Sequence, residues 1–160
     1  MKKWITFIVV FILSLTICIS LFVIWQAGKP FSNERELAKE IALSENKLAQ
    51  VSSAEVYSGS QSYVTVIGID ENGDDKAVFI PNSDQDIPIE EVFLKDGITE
   101  EQALQVVQDE FQINQILHTK LGWEETNAVW EITFLNENDK LNYVYVMFEN
   151  GKWWKRILNL

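Results

Sequence analysis

The chain has 160 residues, of which 24 are acidic and 13 basic, and its formal net charge is −11 at pH 7. So large an excess of negative charge repels the phosphates of nucleic acids, and we therefore expect no nucleic acid partner. The single cysteine, Cys18, and the single histidine, His118, leave no pair for an internal disulfide and no set of histidines for a zinc site.

Residues 4–25 form an uncharged, apolar segment without glycine or proline. As a helix this segment would be about 33 Å long, which is enough to cross a hydrocarbon layer of about 30 Å. Lys2 and Lys3 precede it and neutral residues follow it, which favours a cytoplasmic N-terminus. We predict a cytoplasmic tail at residues 1–3, a transmembrane signal anchor at residues 4–25, and a single-pass protein of the cell membrane with an extracellular C-terminal domain.

A cleaved signal peptide is the alternative interpretation of this segment. Signal peptidase requires small residues at the cleavage site, whereas cleavage after Ala27 would make the bulky Trp25 the third residue before the bond. The sequence therefore favours an uncleaved anchor.

A short amphipathic helix is predicted after the anchor, starting near Ser32 or Asn33. Asn33 and Glu36 have the spacing of a capping box. An apolar stripe at helical spacing follows. It consists of Leu37, Ile41, Ser44 and Leu48, with Ala38, Ala42 and Ala49 beside it.

From Val51 the apolar period changes to two, which predicts strands. Residues 63–70 and 76–80 form a predicted hairpin with a turn at residues 71–74, and residues 87–94 form an edge strand because Pro88 cannot donate a ladder hydrogen bond. The acidic residues 70–75 also invite a calcium-site interpretation. Gly73, however, occupies the fourth position and not the sixth position of an EF-hand loop, so a hairpin turn is the better interpretation.

The same order of elements returns from residue 97. Thr99 and Gln102 predict a capping box at the start of a second helix. The apolar stripe of this helix consists of Ala103, Val106, Val107 and Phe111. Four strands follow at residues 115–122, 128–136, 142–148 and 152–158, with turns at 136–139 and 149–151.

A shift of 66 residues superimposes the two units. It places Val64, Val66, Val78 and Ile80 on Trp130, Ile132, Val144 and Val146, and it places Leu37 and Ile41 on Ala103 and Val107. Agreement of helical and strand periods at one shift predicts a tandem repeat. We predict an α+β fold with two units at residues 26–96 and 97–160, each a helix with a four-stranded antiparallel sheet.

Three segments of the second unit carry a family resemblance: GITEEQA at residues 97–103, VWEITFL at 129–135 and YVYVMFENGK at 143–152. They resemble the PepSY pattern, and with the anchor and a preceding degenerate copy the whole chain resembles the TseB-like (YpmB) membrane proteins. The resemblance implies two cystatin-like units and a role in cell wall elongation through a class B penicillin-binding protein. The first unit departs from the pattern, because Gly68 stands where the second has Phe134 and the Gly-Lys hairpin is missing.

The chemical groups of the sequence favour binding over catalysis. Adjacent carboxylates occur at residues 74–75, 90–91, 100–101 and 124–125, but neighbouring side chains diverge on strands and helices, so we expect solvated faces. His118 is expected to be a half-buried polar residue of a strand. We predict no enzyme activity, no cofactor, no metal and no small-molecule substrate.

An aromatic surface is the strongest candidate for binding. Alternation places Tyr143, Tyr145 and Met147 on the sheet face opposite the inward residues, and this face must be covered by the first unit, which is favoured, or by a partner. Trp153 and Trp154 are adjacent, so one of them should lie on the outer face. The predicted partner-binding residues are Tyr143, Tyr145, Trp153, Trp154, Lys155 and Arg156.

Two other classes of function remain open from the sequence. PepSY-like units also occur in protease propeptides, which suggests an inhibitor or modulator of an extracytoplasmic peptidase. Exposed Trp and Tyr side chains would also suit a glycan-binding module.

Overall fold

The computed structural model describes residues 2–27, 29–82 and 87–160. The chain divides into two compact bodies, Met1–Glu34 and Arg35–Leu160. The first contains helix α1, Lys2–Ala27, and the second contains two β-sheets.

Helix α1 is apolar on all sides. The segment Lys3–Ile24 has the length and composition of a membrane-crossing helix, and none of it is buried within the protein. The hydroxyls of Ser14 and Thr16 each donate a hydrogen bond of 2.9 Å to a carbonyl of the preceding turn, so their polarity is satisfied within the helix. This helix is compatible with a membrane anchor or with a signal sequence.

The second helix, α2, spans Lys29–Ser44 and begins earlier than predicted. Asn33 therefore lies inside the helix, and the capping box predicted for Asn33 and Glu36 is wrong. Pro30 fits the first turn because N–H groups there have no acceptor within the helix.

The predicted capping box of helix α3, Glu100–Gln108, is confirmed: the side chain of Thr99 accepts from the backbone N–H of Gln102, and the side chain of Gln102 accepts from the backbone N–H of Thr99.

Two antiparallel four-stranded sheets keep their strands in sequence order. The first consists of β1 Gln50–Ser58, β2 Ser62–Ile69, β3 Asp75–Pro81 and β4 Glu90–Phe93, and a 3-10 turn at Leu94–Asp96 leads on to α3. The second consists of β5 Ile113–Glu124, β6 Asn127–Asn136, β7 Leu141–Met147 and β8 Trp153–Ile157. The edge position of β4 is confirmed, although β4 is shorter than the predicted 87–94. Residues 83–86, between the predicted strands at 76–80 and 87–94, lie outside the described residues.

The acidic stretch after β2 is a hairpin turn. One carboxylate oxygen of Asp70 accepts hydrogen bonds from the backbone N–H groups of Asn72 and Asp74, at 2.8 and 3.0 Å. These backbone hydrogen bonds lower the pKa of the Asp70 carboxyl group. Asn136, which lies 66 residues later, accepts in the same way from two backbone N–H groups, so the two turns are equivalent.

In the strands, the predicted shift of 66 residues is confirmed by the pairing register. Positions that the shift equates form equivalent pairs in the two sheets, and their side chains pack with the helix of their own unit. The pairs are Val64 with Ile80 and Val66 with Val78 in the first sheet, and Trp130 with Val146 and Ile132 with Val144 in the second.

For the helices, the predicted shift is one residue too long. Helix α2 buries Ala38 and Ala42, whereas α3 buries Ala103 and Val107, so the helices correspond at a shift of 65 residues. The additional residue of the second unit lies in the turn between its first two strands, because Ser58 pairs with Ser62 where Trp123 pairs with Ala128. Leu37, which the sequence placed on the buried stripe, is consequently 58% exposed.

The two units pack with the face of one sheet against the edge of the other. The helix-free face of the first sheet lies across β5. On one side of β5, the rings of Phe79 and Trp123 have centroids 5.3 Å apart, and on the other side the ring of Tyr57 lies against Gly122. Internal packing thus covers the helix-free face of the first sheet and reaches the corresponding face of the second sheet around Tyr57.

A buried carboxylate joins the two units. Glu124 is 3% exposed and accepts hydrogen bonds from the hydroxyl of Tyr57 at 2.8 Å and from the N–H of Ser60 at 3.0 Å. The hydroxyl of Thr65 donates to the carbonyl of Leu121 at 2.7 Å. The expected solvated face at residues 124–125 is therefore wrong for Glu124, because donors from the first unit replace water.

Candidate partner-binding face

The candidate site is the helix-free face of the second sheet, which we name the aromatic face. It is formed by Tyr143, Tyr145 and Met147 of β7 with Trp154 and Ile157 of β8, packed around Tyr57 and Val129. Strand alternation creates it, because the intervening β7 residues point toward α3. Tyr145 is only 7% exposed, whereas the other β7 and β8 side chains of the face are partly exposed.

The two adjacent tryptophans lie on opposite faces of β8, as alternation predicts. The ring of Trp153 packs edge-on against Phe111, at a centroid distance of 5.9 Å, on the side covered by α3. The ring of Trp154 packs edge-on against Tyr145, at 5.8 Å, on the aromatic face. A register shift in the β7–β8 pairing, between Tyr145 and Val146, interrupts the regular alternation here.

The two adjacent basic residues are also separated. The ammonium group of Lys155 is exposed and lies 5.9 Å from the ring centroid of Trp154. The guanidinium carbon of Arg156 lies 4.1 Å from the ring centroid of Trp153. The same guanidinium group forms an ion pair with Glu110, just after the end of α3. Of the six predicted site residues, the structure therefore brings together Tyr143, Tyr145, Trp154 and Lys155, and it places Trp153 and Arg156 on the opposite side.

A polar row lies beside the aromatic rings on β5 and β6. The Nε2 atom of His118 is 3.0 Å from a carboxylate oxygen of Glu131 and 2.9 Å from the hydroxyl of Thr133. Glu131 lies opposite Tyr145 in the register, and burial together with the charge of Glu131 raises the pKa of the Tyr145 phenol. His118 is half-buried, as predicted. The sequence did not indicate its partners, because Glu131 and Thr133 lie on a different strand.

This arrangement is suited to non-covalent binding. Among residues 2–27, 29–82 and 87–160, no group of three or more His, Cys, Asp or Glu side chains is placed to hold a metal ion. The face instead offers aromatic contact area with an exposed ammonium group at its margin. Aromatic residues are enriched in protein interfaces, whose rims are polar.

Buried phenols should make the domain unstable at alkaline pH. Burial, with Glu124 nearby, raises the pKa of Tyr57, and burial also raises that of Tyr145. As the pH rises above about 10, the unfolded chain loses these phenol protons before the folded protein does. The unfolding free energy is therefore highest below that pH and falls above it, by about 1.4 kcal/mol per pH unit for each phenol. The unfolding free energy, measured with urea between pH 9 and 11, should depend less steeply on pH in Tyr57→Phe than in the unmodified chain. An identical dependence would contradict this assignment.

Comparison with known proteins identifies relatives of this chain. Residues 38–81 match the family model described as the cell wall elongation regulator TseB-like domain. Over 149 residues, which are 93% of this chain and 91% of the relative, the chain is 29% identical to the "Probable cell wall elongation regulator TseB" of Bacillus subtilis (strain 168). It also resembles the solved structure of the YpmB protein from Bacillus subtilis, with a TM-score of 0.70 and 31% identity over 77% of this chain and 95% of the other. The chain therefore belongs to the TseB-like family.

Proposed function

We propose that this chain is a non-catalytic, single-pass membrane protein whose extracytoplasmic domain regulates cell wall elongation by binding another envelope protein. The aromatic face carries this proposal, because Trp and Tyr concentrate at the energetic centres of protein interfaces. The relative from Bacillus subtilis is named a probable cell wall elongation regulator, which supports the process. The apolar helix α1 supports attachment to the membrane.

The partner that we propose is a class B penicillin-binding protein, the class that the family resemblance implies. The exposed ammonium group of Lys155 beside Trp154 would suit a partner surface that carries carboxylates around an apolar centre. Chemical crosslinking of the tagged chain in intact cells, followed by mass spectrometry, should recover such a protein. If crosslinking instead recovered a secreted peptidase, and this chain inhibited that peptidase at stoichiometric concentration, the result would contradict the proposed function. It would indicate that the chain is a peptidase inhibitor.

The topology makes a separate prediction. Lys2 and Lys3 precede the apolar helix and the acidic domain follows it, so the N-terminus should lie in the cytoplasm and the domain outside. Protease added to intact protoplasts should digest the chain after residue 26, while a tag before Lys2 should remain protected. Protection of the C-terminus would contradict the proposed function, because the domain would then be cytoplasmic.

A further inference from the structure

A second concave surface lies where the first sheet meets the second unit, and we name it the junction groove. It has a volume of about 310 Å³. Three parts of the chain border it: β4 together with the 3-10 turn that follows it, the β5–β6 turn, and the end of β7. This volume is at the lower end of the range for ligand sites. None of the six predicted partner-binding residues lines the groove, although Met147 of the aromatic face does. The inference below concerns the edge of β4 and does not rest on the function proposed above.

The groove runs along the free edge of β4. Three successive residues, Glu91, Val92 and Phe93, line it. Successive side chains of a strand point to opposite faces, so the groove contacts both faces of β4. One edge of β4 is paired with β3, and the groove therefore borders the other edge. β4 ends the strand order of its sheet, and within the described part of the chain no strand pairs with its outer side. Such an edge presents backbone N–H and C=O groups to an added strand.

The charged side chains that line the groove are acidic, and the nearby ammonium groups of Lys76 and Lys95 lie 5.0 and 5.1 Å from the ring of Phe93. The lining includes three carboxylates and, within the described residues, neither Lys nor Arg. Glu91 is already paired with Lys47 at 3.3 Å and with Lys76 at 3.4 Å. Asp96 and Glu149 are exposed and form no ion pair within the described residues. Two carboxylates are thus available for a cationic side chain.

The floor of the groove is apolar. Its apolar lining residues include Val92, Trp123, Met147 and Phe148. Trp123 and Met147 are partly exposed although both are large and apolar. A strand added to β4 would direct alternate side chains onto this floor and the remaining ones outward, past the carboxylates.

We infer that the junction groove binds an extended segment of a partner protein, in which apolar and basic side chains alternate, as a fifth strand on β4. The backbone of the segment pairs with the edge of β4. Its apolar side chains cover the floor, and its Lys or Arg side chains meet Asp96 and Glu149.

Peptide binding tests this inference on the full chain in phosphatidylcholine nanodiscs. The probe is a fluorescein-labelled, acetylated and amidated hexapeptide of alternating Val and Lys, and anisotropy reports binding. We expect a Kd below about 1 mM. Asp96→Asn combined with Glu149→Gln should weaken binding at least about fivefold, because two exposed charge pairs are lost. The matched control, Glu45→Gln combined with Glu137→Gln, removes the same charge from exposed sites elsewhere and should change binding less than about twofold.

Backbone methylation separates strand addition from general attraction of a cationic peptide. N-methyl groups on every second residue block the N–H groups of one edge of the peptide, and the complementary pattern blocks the other edge. One pattern should weaken binding at least about tenfold and the other should preserve it, because only one edge pairs with β4. Equal binding by the parent and both methylated peptides would overturn the inference. So would equal weakening by the groove variant and the control variant, or no binding at 1 mM.

Discussion

Replacement of Phe79 by Ala should cost about 3–5 kcal/mol of unfolding free energy, the range for a fully buried Phe side chain. Phe79 is 0% exposed. It belongs to β3 of the first sheet but lies in the core cluster of the second unit, against Trp123. Its removal leaves a cavity between the two units and not within one of them. The loss should therefore destabilise both units together, in a single thermal transition shifted to lower temperature.

Leu37→Ala is the control for this experiment. Leu37 is a large apolar residue of the same domain, but it is 58% exposed, so its replacement should change the unfolding free energy by no more than about 0.5 kcal/mol. Calorimetry of both variants decides the question. Two separate transitions in Phe79→Ala, with the second at the temperature of the unmodified chain, would show that the units unfold independently and would contradict the packing described above.

Trp154→Ala should weaken the complex with the envelope partner by about 2 kcal/mol or more, which is about 30-fold in Kd. Trp154 lies on the aromatic face, partly exposed and packed edge-on against Tyr145. A ring in this position can be buried further by a partner. Partner capture and thermal unfolding should be measured on the same samples, and the melting temperature should fall only slightly.

Trp153→Ala is the matched control, because it removes the same ring from the other face of the same strand. Trp153 packs against Phe111 and Arg156, so its loss should cost about 2–3 kcal/mol of stability, somewhat less than a fully buried Trp. The folded fraction should still bind the partner with unchanged affinity. If Trp154→Ala stays folded and retains the partner, the aromatic face is not the docking site.

Local signals in the sequence were sufficient for much of this fold. The capping box at Thr99, the hairpin turn at Asp70 and the inward register of Val64 and Trp130 each depend on residues close in sequence or on a simple period. For this reason the second unit was predicted almost strand by strand. The predicted start of α2 is wrong because Asn33 and Glu36 have the spacing of a capping box although they lie inside the helix. The first turn of a helix also accepts proline, so Pro30 does not mark a boundary.

Features that depend on distant contacts could not be predicted in the same way. Glu124 is buried because Tyr57 and Ser60, from the other unit, supply its donors. Alternation required one Trp of the pair on each face, but only the observed β7–β8 register places Trp154 and Lys155 together beside Tyr145. The junction groove has no sequence signal, because it forms where the edge strand of one unit approaches a turn of the other.

Site-specific photo-crosslinking in living cells tests most directly the claim that the aromatic face binds an envelope protein. A photoreactive amino acid at position 154 would lie on this face, whereas one at position 105, an exposed site on α3, would lie on the opposite side of the sheet. Irradiation should crosslink the protein labelled at position 154 to a class B penicillin-binding protein, and that product should be absent from the protein labelled at position 105. Equal crosslinking from both positions, or none from position 154, would contradict the account.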